Sequence, residues 1–313
     1  MRLSLRTLYG GLLTDLERLT EALYKYQTQI ATGKKYQRPS EAPVELNYAL
    51  GYRKALKDID RYQESIREAK SFLRTVEGAL ESFKSLIERA KQLAIAGAND
   101  IQNASTRKAM ARELDGLILE ALALANTQHG ERYVFAGNRS TGYADGEKPF
   151  ALQKKVLPDG QVVEEVVYKG GAEDLYMGYA SGAKILVGRN GEEALMASDL
   201  FSALIALRNT LDANNQADPQ KEIEDIQTHI VRLDKVLRHI LEERSDLGAR
   251  VDHLEVKGRL YQDFRNTLLG NLGEVEEVDY LEAVTNLRAK RTAYEAALKA
   301  ATQTMGLSLV NFL

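Results

Sequence analysis

Leu12, Leu16, Leu19, Leu23, Tyr26 and Ile30 recur at gaps of 4, 3, 4, 3 and 4. That a/d rhythm predicts a coiled-coil helix over residues 12–31. It stops at Gly33, where "TGKKYQRPSEAP" supplies three basic residues and two prolines before apolar residues resume. A second heptad runs over 59–94 through Ile59, Tyr62, Ile66, Ala69, Leu73, Val76, Leu80, Phe83, Ile87, Ala90 and Ala94. Gly97 and Asn99 suit its stop. A looser stripe follows at Met110, Leu114, Leu117, Ala121, Leu124 and Gln128, with Ser105 as the expected N-cap.

The second half carries a short helix near 198–212, the spacer "DANNQADPQ" and a long heptad. The heptad runs through Ile226, Ile230, Leu233, Leu237 and Ile240, then Leu247, Val251, Leu254, Gly258, Tyr261 and Leu268. Arg244 and Arg265 occupy seam positions within it. A polar elbow is expected at "LGNLGEVEEVDYLEA", with Gly270, Gly273 and an acidic cluster. The last heptad, over 280–312, holds Tyr280, Val284, Leu287, Tyr294, Leu298, Ala301, Met305, Leu309 and Phe312, interrupted by Arg291.

Between 133 and 191 the period changes. β-Branched runs flank Asp159-Gly160, a strong hairpin signal. "LYMGYASGAKILVGRNGEEAL" adds short strands with glycine turns. The expected fold is therefore mainly α, with terminal antiparallel coiled-coil helices, a helical rod domain and a small β-rich insertion. The expected divisions are 1–40 with 275–313, 41–135 with 195–274, and 136–194. The two elbows are expected to meet, which lays the first and last helices side by side. Residues 1–38 carry a net charge of +4 and residues 271–313 one of −2, which favours that pairing weakly, since exposed charges are screened.

Composition narrows the function. The chain has 313 residues and a net charge of −3, so it has no basic footprint for nucleic acid. With no cysteine, disulfides, thiolate metal sites and thiol catalysis are excluded. No apolar run approaches the ~18 residues of a membrane span. The charged N-terminal stretch lacks the apolar core of a secretory signal, so the protein is expected in the cytosol or to leave by a route without a cleaved signal.

Candidate chemistry is sparse. His129, His229, His239 and His253 form no Glu-x-x-His or His-Glu-x-x-His pattern, and read as ordinary packing or surface histidines. "TGKK" lacks the earlier glycine of a phosphate loop, since Thr28 stands at that position. "GYADG" and "GRNGEE" are turns and not calcium loops. No catalytic, cofactor-binding or metal-ligating residue is assigned. A cytosolic helical enzyme or nucleotide sensor would need convergent polar groups in a pocket, and none is legible.

The chain ends are the informative feature. A helix of ~20 residues is marginal alone in water. The C-terminal "MGLSLVNFL" is apolar at Leu307, Leu309, Val310, Phe312 and Leu313. Such a stripe exceeds what one partner helix covers and reads as a surface awaiting a partner. The candidate assembly residues are Leu12, Leu16, Leu19, Leu23, Tyr26 and Ile30 at one end, and Leu298, Met305, Leu309, Phe312 and Leu313 at the other.

Several stretches carry a resemblance to known proteins. "MRLS" opens the chain, and "QIATGKKYQRPSEAP" looks like a "stGkr…pSddP" elbow with Glu41 and Ala42 replacing two aspartates. "NTQHGERYVFAGNRSTGYADGEKPF" looks like "geYiFaGt…PF", and "AYEAALKAATQTMGLSLVNFL" like a C-terminal helix with its apolar tail. On these motifs, and on "LAIAGANDIQNASTRKAMARELDGL", nearly the whole chain resembles the flagellin-like axial proteins of the bacterial flagellum. Its elbow and its "SLxxxL" ending are closer to the hook–filament junction members than to flagellin. The resemblance implies a structural protein and no enzyme. It implies a ring of copies between the other junction protein and flagellin, an export chaperone at the C-terminal helix, and exit through the flagellar export apparatus. A divergent filament subunit is the alternative.

Overall fold

The computed structural model describes residues 5–99, 104–144, 146–156, 162–213 and 219–310. Among them, six α-helices carry the architecture: α1 Leu5–Thr32, α2 Pro43–Gly97, α3 Ala104–Ala125, α4 Leu200–Ala213, α5 Pro219–Glu276 and α6 Tyr280–Val310. Three separate two-stranded antiparallel sheets lie between α3 and α4. They are β1 Gln128–His129 with β2 Arg132–Tyr133, β3 Phe150–Val156 with β4 Val162–Tyr168, and β5 Leu175–Ala180 with β6 Ala183–Gly188. A π-helical turn, Glu192–Met196, precedes α4. The mainly helical fold with a small β-rich part is the one the apolar periods predict.

The chain forms two compact units, Met1–Asp60 with Gln262–Leu313, and Arg61–Tyr261. The second holds the main core. The 59–94 heptad is its spine: Ile66, Ala69, Leu73, Val76, Leu80, Phe83, Ile87, Ala90 and Ala94 are all buried. A second stripe, Phe72, Ala79, Leu86 and Leu93, repeats every seven residues and is buried as well. It is the mark of a helix covered on more than one side.

Opposite α2, α5 buries Ile226, Leu233, Val236, Ile240, Leu247 and Leu254. Three ion pairs set the antiparallel register of these helices in this unit. Lys91 meets Asp234 at 2.6 Å, Arg244 meets Glu81 at 2.5 Å, and Lys70 meets Glu255 at 2.7 Å. The seam arginine Arg244 thus reaches a carboxylate across the interface. In the first unit Arg265 does the same with Asp60, at 2.9 Å.

The β-rich segment shares this core and does not form a body of its own. Val134, Phe135, Phe150, Val166, Ile185 and Val187 belong to the same buried cluster as Phe83 and Leu204. The unit boundary therefore does not follow the limits 136 and 194 suggested by the change of period. Gly137, at φ 59°, sits so close to the Glu173 carbonyl that a Cβ would lie 2.4 Å from it, which explains a glycine in "VFAGN". The hairpin pairing flanks the expected Asp159-Gly160 turn, which itself lies outside the described residues.

One local expectation, the cap of α3, is corrected. Ser105 lies inside α3, which begins at Ala104, so it is not the N-cap. The buried face of α3 is Arg107, Ala111, Leu114, Ile118, Ala121 and Ala125. Leu114 and Ala121 of the expected stripe belong to it, and Met110, Leu117 and Leu124 are partly buried against the same core. Gly270 and Gly273 do not break α5, which runs on to Glu276. No atom crowds the Cα of Gly270, and a glycine inside a helix costs only about 1 kcal/mol relative to alanine. The elbow is the short stretch 277–279.

Arg107 and Glu222, in the first turns of α3 and α5, form a buried ion pair at 3.0 Å. Among the described residues Arg107 Nε and Glu222 Oε1 have no hydrogen-bond partner.

Candidate assembly surface at the terminal helices

In the first unit α1 packs along α6, and the two elbows close against each other. Gly33 ends α1 at φ 71°, the left-handed conformation that glycine adopts at low cost, and its N–H donates to the Gln29 carbonyl at 2.8 Å. Lys34 and Glu277 then form an antiparallel bridge. Lys35 N–H donates to the Glu276 carbonyl at 2.7 Å, and Val278 N–H to the Gly33 carbonyl at 3.0 Å. The buried Gln29 side chain donates from Nε2 to the Lys35 carbonyl at 2.7 Å.

Side chains finish both elbows. Gln37 N–H donates to Glu41 Oε2 at 3.0 Å, so the glutamate in "PSEAP" caps the turn an aspartate would otherwise cap. Pro43 opens α2 at the position where a missing N–H costs nothing. Asp279 is the N-cap of α6, accepting from the N–H groups of Leu281 and Glu282 at 2.9 and 3.0 Å. Arg53 of α2 donates to Glu276 Oε2 at 2.6 Å.

The candidate seam of α1 is only half covered. Leu12, Leu16, Leu19, Leu23, Tyr26 and Ile30 are all partly buried. On α6 the partly buried apolar positions are Val284, Leu287, Tyr294, Ala297 and Ala301, with Ala283 buried. Leu298 is not on the seam. It stands beside it, 40% exposed, because Ala297 takes the inward position. Leu13, Tyr24 and Leu281 are more exposed still, Leu281 at 80%. Met305 and Leu309 lie within α6, but their side chains are outside the described residues, as are Phe312 and Leu313 altogether. Two helices alone cannot dry such a stripe, and apolar side chains in this number remain available to further helices.

The elbow residues Gln29, Arg53, Glu276 and Asp279 were not singled out from the sequence. Asp279 four residues before Ala283 was a legible cap signal. The Arg53–Glu276 pair was not, since its partners lie far apart in the chain.

Each histidine has a packing role. His129 Nδ1 lies 2.9 Å from Thr75 Oγ1, His253 Nε2 lies 3.1 Å from the Tyr179 hydroxyl, and His239 Nε2 lies 3.1 Å from the Glu193 carbonyl in the π-helical turn. Thr210 donates to the Ala206 carbonyl, which leaves its oxygen to accept from His229 Nε2 at 3.0 Å. Burial, then the nearby Arg232, lowers the His229 pKa. Burial likewise pushes the Tyr168 hydroxyl up to about 12. Among the described residues no cluster of histidines and carboxylates could hold a metal ion, and no helix is long and apolar enough to cross a membrane.

Comparison with known proteins places this geometry. The sequence pattern of the bacterial flagellin N-terminal helical region matches residues 8–140. The chain is 24% identical to "Flagellar hook-associated protein 3" of Escherichia coli, over 99% of its own length and 98% of that protein's. To the protein of the same name in Salmonella typhimurium it is 23% identical, with the same shares covered. Among solved structures, a putative flagellar hook-associated protein from Vibrio parahaemolyticus superposes with a TM-score of 0.64 at 17% identity, covering 76% of this chain and all of that one. The flagellar junction protein FlgL of Legionella pneumophila gives a TM-score of 0.59 at 17% identity, over 73% of this chain and 99% of that one. At such identities the structures establish the shared fold, while the sequence matches extend along the whole length. The chain is thus similar along its whole length to flagellar hook-associated protein 3, and over residues 8–140 it carries the pattern of the bacterial flagellin N-terminal helical region.

Proposed function

We propose that this chain is a structural subunit of the bacterial flagellum that forms the junction ring adapting the hook to the flagellin filament. The observation that carries the reading is the end-to-end match to two proteins named flagellar hook-associated protein 3. Supporting it, α1 and α6 pair through a seam that each leaves half covered, as expected of helices completed by neighbouring copies. The assembly residues are the α1 seam, Leu298, Met305, Leu309, Phe312 and Leu313. The partners are further copies of the chain, the other junction protein, flagellin and an export chaperone at the C-terminal helix. Export through the flagellar apparatus delivers the chain to the junction. The β-rich segment is its outward face, and the chain has no enzymatic role.

Deletion of the gene tests this. Mutant cells should carry hooks without filaments and release flagellin into the medium, and the wild-type chain should appear on sheared flagella in few copies. A divergent filament subunit, which the match to the flagellin N-terminal region favours, would instead be present in thousands of copies per flagellum.

A further inference from the structure

Strand β4 keeps one edge unpaired. Among the described residues its ladder bonds all run to β3, and the pair is a sheet of two strands. An edge strand of this kind carries alternate N–H and C=O groups that an extended chain can pair with. Alongside that edge runs a groove of about 490 Å³, bounded by Val163–Val166 of β4 and by α4. Its floor is apolar, formed by Phe201, Ile205 and Met196.

The charges around the groove are unequal. Glu164, Glu165 and Asp199 line it against a single amine, Lys155. Arg208 Nη2 already donates to Glu164 at 2.8 Å, and Arg232 Nε donates to Asp199 at 2.9 Å. Glu165 is exposed and forms no ion pair among the described residues. Asp199, just before α4, is held at φ 65°, the left-handed region a non-glycine residue seldom occupies. Lysines on an edge strand discourage pairing, but Lys154 and Lys155 are on β3, and β4 has none.

We propose that this groove receives an extended peptide segment by strand addition to β4, with apolar side chains turned onto α4 and a basic side chain opposite Glu165. The free edge selects an extended backbone. The floor selects apolar residues at alternate positions, since successive side chains of a strand point to opposite faces. On the outer face Glu165 would meet its neighbour at cross-strand distance, where opposite charges stabilise pairing. The proposal concerns a purified chain and does not depend on the flagellar reading.

The probe is a short capped peptide of alternating valine and lysine, titrated calorimetrically into the full chain, with its valine–glutamate counterpart as control. The valine–lysine peptide should bind and should slow amide exchange along β4. Glu165→Lys, and Ala206→Trp, which fills the groove, should each weaken binding by about tenfold or more. The glutamate peptide should bind at least as poorly. No binding of the lysine peptide would overturn the proposal. So would equal affinity for the Ala206→Trp chain, because that is attraction to charge alone. Should either variant fail to fold, exchange on the wild-type chain decides: protection anywhere but β4 defeats the assignment.

Discussion

Lys34 and Glu277 face each other across an antiparallel backbone bridge that joins the elbow after α1 to the elbow before α6. Hydrogen bonds flank it on both sides, from Lys35 to Glu276 and from Val278 to Gly33. The pairing of the terminal helices therefore starts from a fixed backbone joint, on which a loosely packed seam then builds.

Gly33 is the weak point of that joint. A Cβ there would lie 2.8 Å from the Tyr280 hydroxyl, on a backbone at φ 71°. Gly33→Val should cost about 1–3 kcal/mol of local stability. Hydrogen exchange would register this as faster exchange in α1 and α6, with α3 unchanged. Equal acceleration in both helices and α3 would refute a local effect.

The Arg107–Glu222 pair is buried, with one atom on each side lacking a partner among the described residues. Removing one charge, as in Glu222→Leu, should destabilise by about 3–5 kcal/mol, whereas Arg107→Met with Glu222→Leu together should be near neutral or stabilising. Urea unfolding of the two single variants and the double variant checks this; additive losses would argue against it.

The β-rich segment should be needed for cooperative folding. Phe150, Val166 and Val187 sit in the central cluster. Phe150→Ala should cost about 3–5 kcal/mol. Replacing residues 140–191 by a glycine–serine linker should broaden or abolish the thermal transition followed by circular dichroism. A sharp, unshifted melt would make the segment an independent appendage.

His229 should impose a pH dependence. Its folded pKa lies below the ordinary 6.5, through burial first and Arg232 second, with Asp225 opposing. The unfolded chain then binds a proton more readily than the folded one. The stability His229 contributes is complete above about pH 6.5 and is lost as pH falls from there through its folded pKa. His229→Gln should flatten the slope of unfolding free energy between pH 5 and 7. An unchanged slope would exclude this histidine as the source.

For assembly, Leu298→Asp and the double change Leu309→Asp with Phe312→Asp should leave the monomer's melting temperature nearly unchanged. Each buried apolar side chain replaced in an assembled ring should cost on the order of 2–3 kcal/mol. Cells making only such variants should export flagellin without building filaments, as electron microscopy would record. Normal filaments would falsify the assembly role of these residues.

Much of this protein was legible from one dimension. The period of Leu12 to Ile30 and of Ile66 to Ala94 placed the long helices, because a helix buried along one side must repeat its apolar residues at 3.5 to 3.6 positions. Gly33 marked the end of α1, because only a residue without Cβ turns there cheaply. The β-branched runs around Asp159-Gly160 placed a hairpin. What remained for the tertiary structure was every decision that depends on a distant neighbour. Arg107, Ala111 and Ala125 are core residues of α3 because of what faces them. The stripe Phe72–Leu93 is buried because α2 has more than one partner. Gly270 and Gly273 stay helical because nothing there forces a turn. Leu298 and Ala297 differ by one position, and the facing helix alone settles which of them turns inward. Periodicity records which residues avoid water, whereas register, ion pairs such as Arg53–Glu276 and the limits of a cooperative unit arise from contacts between residues far apart in sequence, which a local pattern does not encode.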